Sequence, residues 1–232
     1  MTRARALAFL VVASATLMAS CSATPSASPS SSPSPSPSPS PSPSPSPSPT
    51  FTWESRPATA DDALTWHEGC PVGIEELIVV TVSHWTFEGD VQTGELVINA
   101  AIEDQSRQAF ADLFGLRFPI YSVVNIDEFD GSDDASMAAD NTSGYNCRYI
   151  GGTSQWSNHA YGRAIDVNPV ENPYVYHGEA QPPQGWAYVD RTMDAPGMLV
   201  EGGAALQAFL DAGFFWGGVW TNADYQHFEI EE

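Results

Sequence analysis

The pattern of apolar and polar residues separates a long polar stretch from a region with regular secondary structure after residue 50. Within that region, short runs rich in β-branched and aromatic residues predict strands, and runs with one apolar face predict helices. We expect strands at 77–82, 95–100, 120–126, 163–168 and 225–230. We expect one helix at 103–116, before Pro119, and a second at 203–212, ended by Gly213.

These elements mix strands and helices without the regular alternation of a βαβ fold. The sequence therefore predicts an α+β fold, with a mainly antiparallel sheet and flanking helices. Residues 127–146 are polar and acidic and contain glycine, so we expect a loop there. The loop contains four aspartates: Asp127, Asp130, Asp133 and Asp134. Because their spacing does not match an EF-hand calcium site, a solvated acidic loop is the favoured interpretation.

The first 50 residues have the composition of an export signal followed by a tether. Residues 1–20 have a basic start and an apolar run that is too short to span a bilayer as a stable helix. Because Cys21 follows small residues, as in a bacterial lipobox, we expect a lipoprotein signal at 1–20 and a lipid on Cys21. Alternating serine and proline offers no apolar side chains to bury, which predicts a disordered tether at 21–50. The alternatives are an ordinary secretory signal and a glycosylated stalk.

Composition limits the partners of the remaining domain, residues 51–232. The chain has 8 basic and 29 acidic residues, giving a formal net charge of −21. Since phosphate binding needs basic patches, nucleic acid is not expected as a partner. We also expect the protein to be a monomer. An acidic surface that keeps an exported domain soluble explains the charge. Cys70 and Cys147 form an even pair, which predicts a disulfide in an oxidising compartment, with two free buried thiols as the alternative.

Two segments combine the residue types that zinc hydrolysis requires. One contains His159 and Asp166, and the other contains Asp224 and His227. A catalytic zinc ion takes three protein ligands and keeps one position for water, and a separate carboxylate takes the proton of that water. His159, Asp166 and His227 are candidates for the three ligands. Asp224 precedes His227 by three residues, on a turn that leads into a strand, and is the candidate base.

Each of these residues has an ordinary structural explanation when it is taken alone. A single histidine is usually exposed or a satisfied core residue, Asp166 can begin a turn, and Trp216 and Trp220 can belong to a core and a turn. The combination favours a metal site. Gly162 permits a sharp backbone path, and the small Ala164, on the same strand face as Asp166, leaves room near a metal.

Both segments resemble motifs of one known family. The first has the fixed residues Ser157, His159, Gly162, Ala164 and Asp166. These residues resemble the SxHxxGxAxD signature of D-alanyl-D-alanine carboxypeptidase (VanY-like) zinc peptidases, which share their fold with Hedgehog domains and lysostaphin-like enzymes. Asp224-x-x-His227 resembles the acid-x-x-His element of that family, and the WGGxW segment at 216–220 also resembles its members. The resemblance covers most of residues 70–230.

The resemblance implies a peptidase fold, a bound zinc ion and a role for each matching residue. The implied zinc ligands are His159, Asp166 and His227. Asp224 is implied as the general base, and Arg148 as the group that holds the substrate carbonyl or carboxylate. The alternative for Arg148 is a salt bridge to the acidic loop. Ser157 is expected to hydrogen-bond the substrate or a ligand, and Glu229 shares a strand face with His227 and is expected to contact it.

The leading prediction is a zinc peptidase that hydrolyses stem peptides of peptidoglycan. It is expected on the extracellular face of the bacterial membrane, in contact with the cell wall. A D,D-carboxypeptidase and an L,D-endopeptidase fit the motifs equally. The main alternative is a non-catalytic cell-wall-binding module on the same fold, which the presence of Asp224 disfavours. A third interpretation is an adhesion domain that binds calcium through its acidic loop.

Overall fold

We describe the fold from a computed structural model of the protein, which describes residues 48–231. The expected signal at 1–20, the lipidated Cys21 and nearly all of the tether at 21–50 lie outside the described residues. Within 48–231, no helix is long and apolar enough to cross a membrane.

Strands and α-helices follow one another irregularly along the described chain. The strands are β1 (Trp53–Pro57), β2 (Leu77–Trp85), β3 (Val91–Asn99), β4 (Ser122–Val123), β5 (Asn141–Thr142), β6 (Ala164–Asp166), β7 (Tyr174–Tyr176), β8 (Glu179–Gln181), β9 (Phe215–Trp216) and β10 (His227–Glu229). The α-helices are α1 (Glu103–Gly115), α2 (Asp133–Ala138) and α3 (Ala204–Asp211). Antiparallel pairing joins the strands of every sheet of this region except the short parallel pair β4–β5. The predicted α+β fold with mainly antiparallel sheets is therefore confirmed.

The first sheet has the order β1-β2-β3 and separates two apolar clusters. Alternate side chains of a strand point to opposite faces, so β2 contributes to both clusters. Val80 belongs to the larger cluster, together with Phe110 of α1 and Phe209 of α3. Val79 belongs to the smaller cluster with Tyr145. The long strands and the two helices thus form the support on which the second sheet packs.

The second sheet has the order β6-β10-β9 and sets the direction of the candidate ligands. Ile165 of β6 and Phe228 of β10 are opposite each other and completely buried in the larger cluster. Phe228 stacks on Phe209 of α3, with ring centroids 3.9 Å apart. Because side chains alternate along a strand, Asp166 and His227 must point away from this cluster, and they are paired directly across the sheet.

The predicted helices agree with α1 and α3 to within one residue at each end. The predicted strand at 120–126 is mostly wrong, since only β4 within it is a strand and a 3-10 helix begins at Ile126. The reason lies in Asn141, whose side-chain amide accepts from the Val124 N–H and donates to the Val124 carbonyl, at 2.9 Å each. A side chain thus takes the hydrogen-bonding positions that a neighbouring strand would have filled.

The prediction of a solvated loop at 127–146 is wrong, because the segment contains α2 and β5. Ser132 caps α2, since its hydroxyl accepts a hydrogen bond from a backbone N–H of the first turn at 3.2 Å. The aspartates are not all solvated either. Asp127 accepts from the Leu64 N–H at 2.7 Å, and burial raises the pKa of Asp127. Asp133 is the first residue of α2 and forms an ion pair.

Cys70 and Cys147 form a disulfide bond in the structure, with their Cα atoms 6.0 Å apart. It joins positions separated by 77 residues. The chain-entropy model gives such a bond a stabilisation on the order of 4 kcal/mol. His67 lies 3.9 Å from the Cys147 sulfur, but both sulfurs are used in the disulfide, so these three residues do not form a metal site.

Candidate metal centre

Three potential ligand atoms converge where β6, β10 and the 3-10 helix Asn158–Tyr161 meet. His159 Nε2 lies 3.1 Å from Asp166 Oδ2 and 3.2 Å from His227 Nδ1. His227 Nδ1 lies 3.0 Å from Asp166 Oδ1, and all three side chains are buried. Two ligands of a tetrahedral zinc ion with bonds of about 2.0–2.1 Å are separated by roughly 3.3 Å. The spacing of these atoms therefore suits a zinc ion.

The backbone around His159 is fixed at both ends of its 3-10 helix. Ser157 precedes the helix, and its hydroxyl accepts the His159 N–H at 3.3 Å. Gly162 ends the helix in the left-handed conformation, with φ of 66°. A Cβ atom at Gly162 would lie 2.7 Å from the Asn99 nitrogen, so this position needs glycine for its space as well as its conformation. The local path that brings His159 towards β6 depends on this glycine.

Hydrogen bonds direct one nitrogen of each imidazole ring to the same point. His159 Nδ1 lies 2.6 Å from the Gly144 carbonyl, to which it must donate, and this leaves a lone pair on Nε2. His227 Nε2 lies 2.9 Å from Glu229 and donates to that carboxylate, so Nδ1 is the nitrogen that can bind a metal once it has lost its proton. With the carboxylate of Asp166, three electron-pair donors face one another. Such a set is favourable around a cation, so these residues fit a zinc ion.

The charges of the same residues also attract a cation. Burial opposes a charge on His227, but hydrogen bonds to Asp166 and Glu229 outweigh burial and raise the pKa of His227 to about 10. Burial likewise opposes the charge of Asp166, yet the two histidines hold the pKa of Asp166 well below its usual range. Zinc must displace a proton from His227, so metal affinity is expected to fall at low pH.

Asp224 lies on the turn that leads into β10. Its backbone N–H donates to the Gly217 carbonyl at 3.1 Å, and its carbonyl accepts the His227 N–H at 3.4 Å. Its Oδ1 atom is buried and has no hydrogen-bond partner among the described residues. Burial and the charge of Asp166 raise the pKa of Asp224 to about 7. A carboxylate with an unused lone pair beside the three donors is suited to accept a proton from water.

The segment at 216–220 supports this turn and reaches the site. Trp216 is buried, and its indole N–H donates to a backbone carbonyl at 2.9 Å. A Cβ atom at Gly217 would lie 3.0 Å from the Asp224 carbonyl oxygen, so the close approach of the two backbones requires glycine. The ring of Trp220 lies 5.4 Å from the ring of His227 and is partly exposed. The segment is therefore partly core and partly wall of the site.

A cavity of about 830 Å³ opens over the three donors. Its aromatic lining residues are Tyr149, Tyr174, Tyr176 and Trp220. Its charged lining residues, apart from the convergent ligands, are Asp133, Asp134, Arg148, Asp224 and Glu229. A cavity of this size, with several aromatic side chains and a few polar groups, suits a short peptide.

Arg148 and Ser157 both line the cavity, but each makes a contact within the protein. Arg148 Nη2 lies 2.8 Å from Asp133 Oδ2, which is the salt bridge to the acidic segment that was the alternative for this arginine. The Ser157 hydroxyl accepts the His159 N–H and so holds the helix that carries a ligand.

Sequence reasoning did not find several groups that complete the site. The Gly144 carbonyl fixes the ring of His159, but a backbone acceptor leaves no pattern in a sequence. Asn158 occupies an unspecified position of the signature, and its amide donates to Glu229, which in turn accepts from His227. Tyr174 forms a β-bridge with Asp224. The tyrosines of β7 alternate along the strand, a pattern that could have indicated one wall of a cavity.

Comparison with known proteins identifies the class to which these features point. A family described as D-alanyl-D-alanine carboxypeptidase matches residues 151–230. The matched segment contains the convergent histidines, Asp166 and Asp224, and it begins after Arg148. The resemblance to this family is thus confirmed over the matched residues, and the match supports a peptidase site. No curated protein and no solved structure matched the chain.

Proposed function

We propose that this protein is a zinc-dependent peptidase that hydrolyses stem peptides of peptidoglycan. The observation that carries the proposal is the convergence of three potential ligand atoms, from His159, Asp166 and His227, inside the segment that matches the peptidase family. Both the family description and a cavity of peptide size support a peptide substrate.

Each residue then has a defined part in hydrolysis. Bound zinc would polarise the scissile carbonyl and lower the pKa of a water molecule. Asp224 Oδ1 is buried and has no partner in the described part of the chain, and it accepts the proton of that water and later returns it to the leaving amine. Glu229 and the Gly144 carbonyl keep the two histidines in the tautomers that bind metal. Arg148 lies in the cavity wall, where it can reach a polar group of the substrate.

We further propose that the protein acts as a monomer on the outer face of the bacterial membrane, attached through a lipid on Cys21. The basic and apolar start of the chain and the lipobox-like residues before Cys21 support this location. A disulfide between Cys70 and Cys147 also suits an oxidising compartment. The anchor is tested by measuring the mass of the N-terminus after recovery from membranes. An N-terminus without a lipid would contradict it.

A non-catalytic cell-wall-binding module is the competing function on this fold. Such a module has no use for a separate proton acceptor. The Oδ1 atom of Asp224 is buried and has no hydrogen-bond partner among the described residues, which is costly to retain in a site that merely binds. This observation favours the enzyme.

The decisive experiment is incubation of the mature, zinc-loaded protein with muropeptides of defined sequence, followed by mass spectrometry. The expected result is the release of D-alanine or of a stem-peptide fragment, which stops when zinc is removed by a chelator and returns when zinc is restored. Tight binding of zinc and muropeptide without any product would favour the binding module.

A further inference from the structure

Arg148 is the single Arg or Lys side chain in the lining of the described cavity, and it already has an anionic partner. Its Nη2 lies 2.8 Å from Asp133 Oδ2. Both side chains line the cavity, and each retains 28% of its accessible surface. The pair is therefore better shielded from water than an ordinary surface ion pair, which is weakened by solvent.

Both partners are held by ordered backbone. The Arg148 carbonyl accepts the Ser157 N–H at 3.1 Å, directly before the helix that carries His159. The next residue, Tyr149, stacks on Trp156 with ring centroids 3.9 Å apart. Asp133 is the first residue of α2, which is capped by Ser132. Because both backbone segments are held by these contacts, the ion pair is a fixed feature of the cavity wall.

The charges around the cavity act in the same direction. Apart from the candidate zinc ligands, four acidic residues and one arginine line it. The acidic residues are Asp133, Asp134, Asp224 and Glu229. A substrate carboxylate can pair with Arg148 only by displacing Asp133. Displacement would leave the Asp133 carboxylate half-buried without its partner, which is unfavourable.

We propose that Asp133 is a specificity-determining residue, because its carboxylate pairs with Arg148. It selects against peptides in which the residue after the scissile bond is the last one and carries a free C-terminal carboxylate. The inference rests on the proposed peptidase function and deepens it. The favoured substrates are peptides in which the chain continues beyond the scissile bond or ends in a carboxamide. This is the preference of an endopeptidase rather than of a carboxypeptidase.

The test uses two stem peptides that differ in one group, a C-terminal carboxylate in one and a carboxamide in the other. For the wild-type protein, we expect kcat/KM for the acid to be no higher than for the amide. Asp133→Asn should raise the acid-to-amide ratio by about tenfold or more, mainly through KM, because it frees Arg148 for the substrate. Asp134→Asn removes the same charge from the same cavity and should change the ratio by less than about threefold.

A double variant identifies Arg148 as the group through which Asp133 acts. If Asp133→Asn gains its preference for the acid by releasing Arg148, the combination of Asp133→Asn with Arg148→Gln should lose that gain. An equal gain with and without Arg148 would show that Asp133 acts through general repulsion and would overturn the inference.

Binding measurements separate this inference from the proposed function. Calorimetry measures the Kd of the zinc-loaded protein for the same two peptides. The preference for the acid over the amide should rank the wild type, Asp133→Asn and Asp134→Asn in the same order as kcat/KM does. That result without any turnover would contradict the peptidase and retain the role of Asp133. The inference is overturned if the wild-type protein prefers the acid tenfold or more. It is also overturned if neither peptide binds to the wild type or to Asp133→Asn. The wild-type ratio remains a test if Asp133→Asn does not fold.

Discussion

At the scale of single residues, the site depends on which atom of each side chain is left unpaired. The Gly144 carbonyl accepts a hydrogen bond from His159, and the Glu229 carboxylate accepts one from His227. The opposite nitrogens of the two rings are therefore the ones that can bind a metal. Asp224 differs from these residues because its Oδ1 atom has no partner among the described residues. The same contacts therefore distinguish three candidate metal ligands from one candidate proton acceptor.

That division predicts different results for two substitutions. Asp224→Asn preserves the shape but cannot accept the proton of water, so zinc content should remain near one per chain while turnover falls at least ~100-fold. His159→Ala removes a ligand, so both zinc content and turnover should fall. Metal analysis beside muropeptide turnover distinguishes the two variants. If Asp224→Asn turns over substrate at the wild-type rate, Asp224 is not the base. If this variant loses zinc, Asp224 is a ligand.

Glu229 is predicted to control metal affinity without contacting the metal. Its carboxylate accepts from His227 Nε2 at 2.9 Å, and Asn158 also donates to it. Glu229→Gln keeps an acceptor oxygen but removes the charge that favours the donating tautomer, so zinc should bind roughly 10-fold more weakly. Competition with a chromogenic chelator measures the change. Glu231→Gln is the matched control, because Glu231 is exposed, and an equal loss in both variants would contradict the role of Glu229.

At the scale of elements, the pairing of β6 with β10 determines the site more than any single motif. Phe228 and Ile165 are directed into the core, and the alternation of side chains then directs His227 and Asp166 together on the other face. The sequence indicated both strands from their apolar residues, but no local pattern contains their register. The register follows from burial of two side chains that are distant in the chain.

Secondary structure was predictable where a regular apolar face runs for many residues, as in α1 and α3. It was not predictable in 120–146, where side chains replace backbone partners. Asn141 takes the place of a strand beside Val124, and α2 has few apolar residues to indicate a helix. The candidate ligands were predictable from the motif, whereas the pairing of Arg148 with Asp133 depends on where α2 lies.

Gly162 is the element boundary with the clearest mechanical consequence. Gly162→Ala would strain a left-handed residue and place a Cβ atom 2.7 Å from the Asn99 nitrogen. Gly89→Ala is a matched control, since Gly89 is also left-handed, with φ of 82°, but a Cβ atom there would have no atom of the described residues within 4 Å. We expect Gly162→Ala to lower the melting temperature by at least ~2–4 °C more than Gly89→Ala and to weaken zinc binding. Equal melting temperatures in the two variants would contradict the close approach.

At the scale of the whole molecule, the negative net charge and the disulfide bond both affect the stability of the fold. The chain carries a net charge of −21, so its carboxylates repel one another as they ionise. The Cys70–Cys147 bond counteracts this by linking the region before β2 to the segment that leads into Arg148. A buried pair of carboxyl groups elsewhere in the domain makes one contribution to stability depend on pH.

That pair is Asp140 and Glu171, both of which are buried. Burial and the charge of neighbouring Asp140 raise the pKa of Glu171 from 4.5 to about 8. Between these pH values the folded protein therefore holds a proton that the unfolded chain has lost, and the contribution of Glu171 to the free energy of unfolding falls as pH rises from about 4.5 to about 8. Glu171→Gln stays neutral and should melt at least ~2–4 °C above the wild type at pH 8.5, but close to it at pH 4.5. Thermal melts across this range measure the difference, with exposed Glu179→Gln as the control, and a pH-independent difference would contradict the assigned proton.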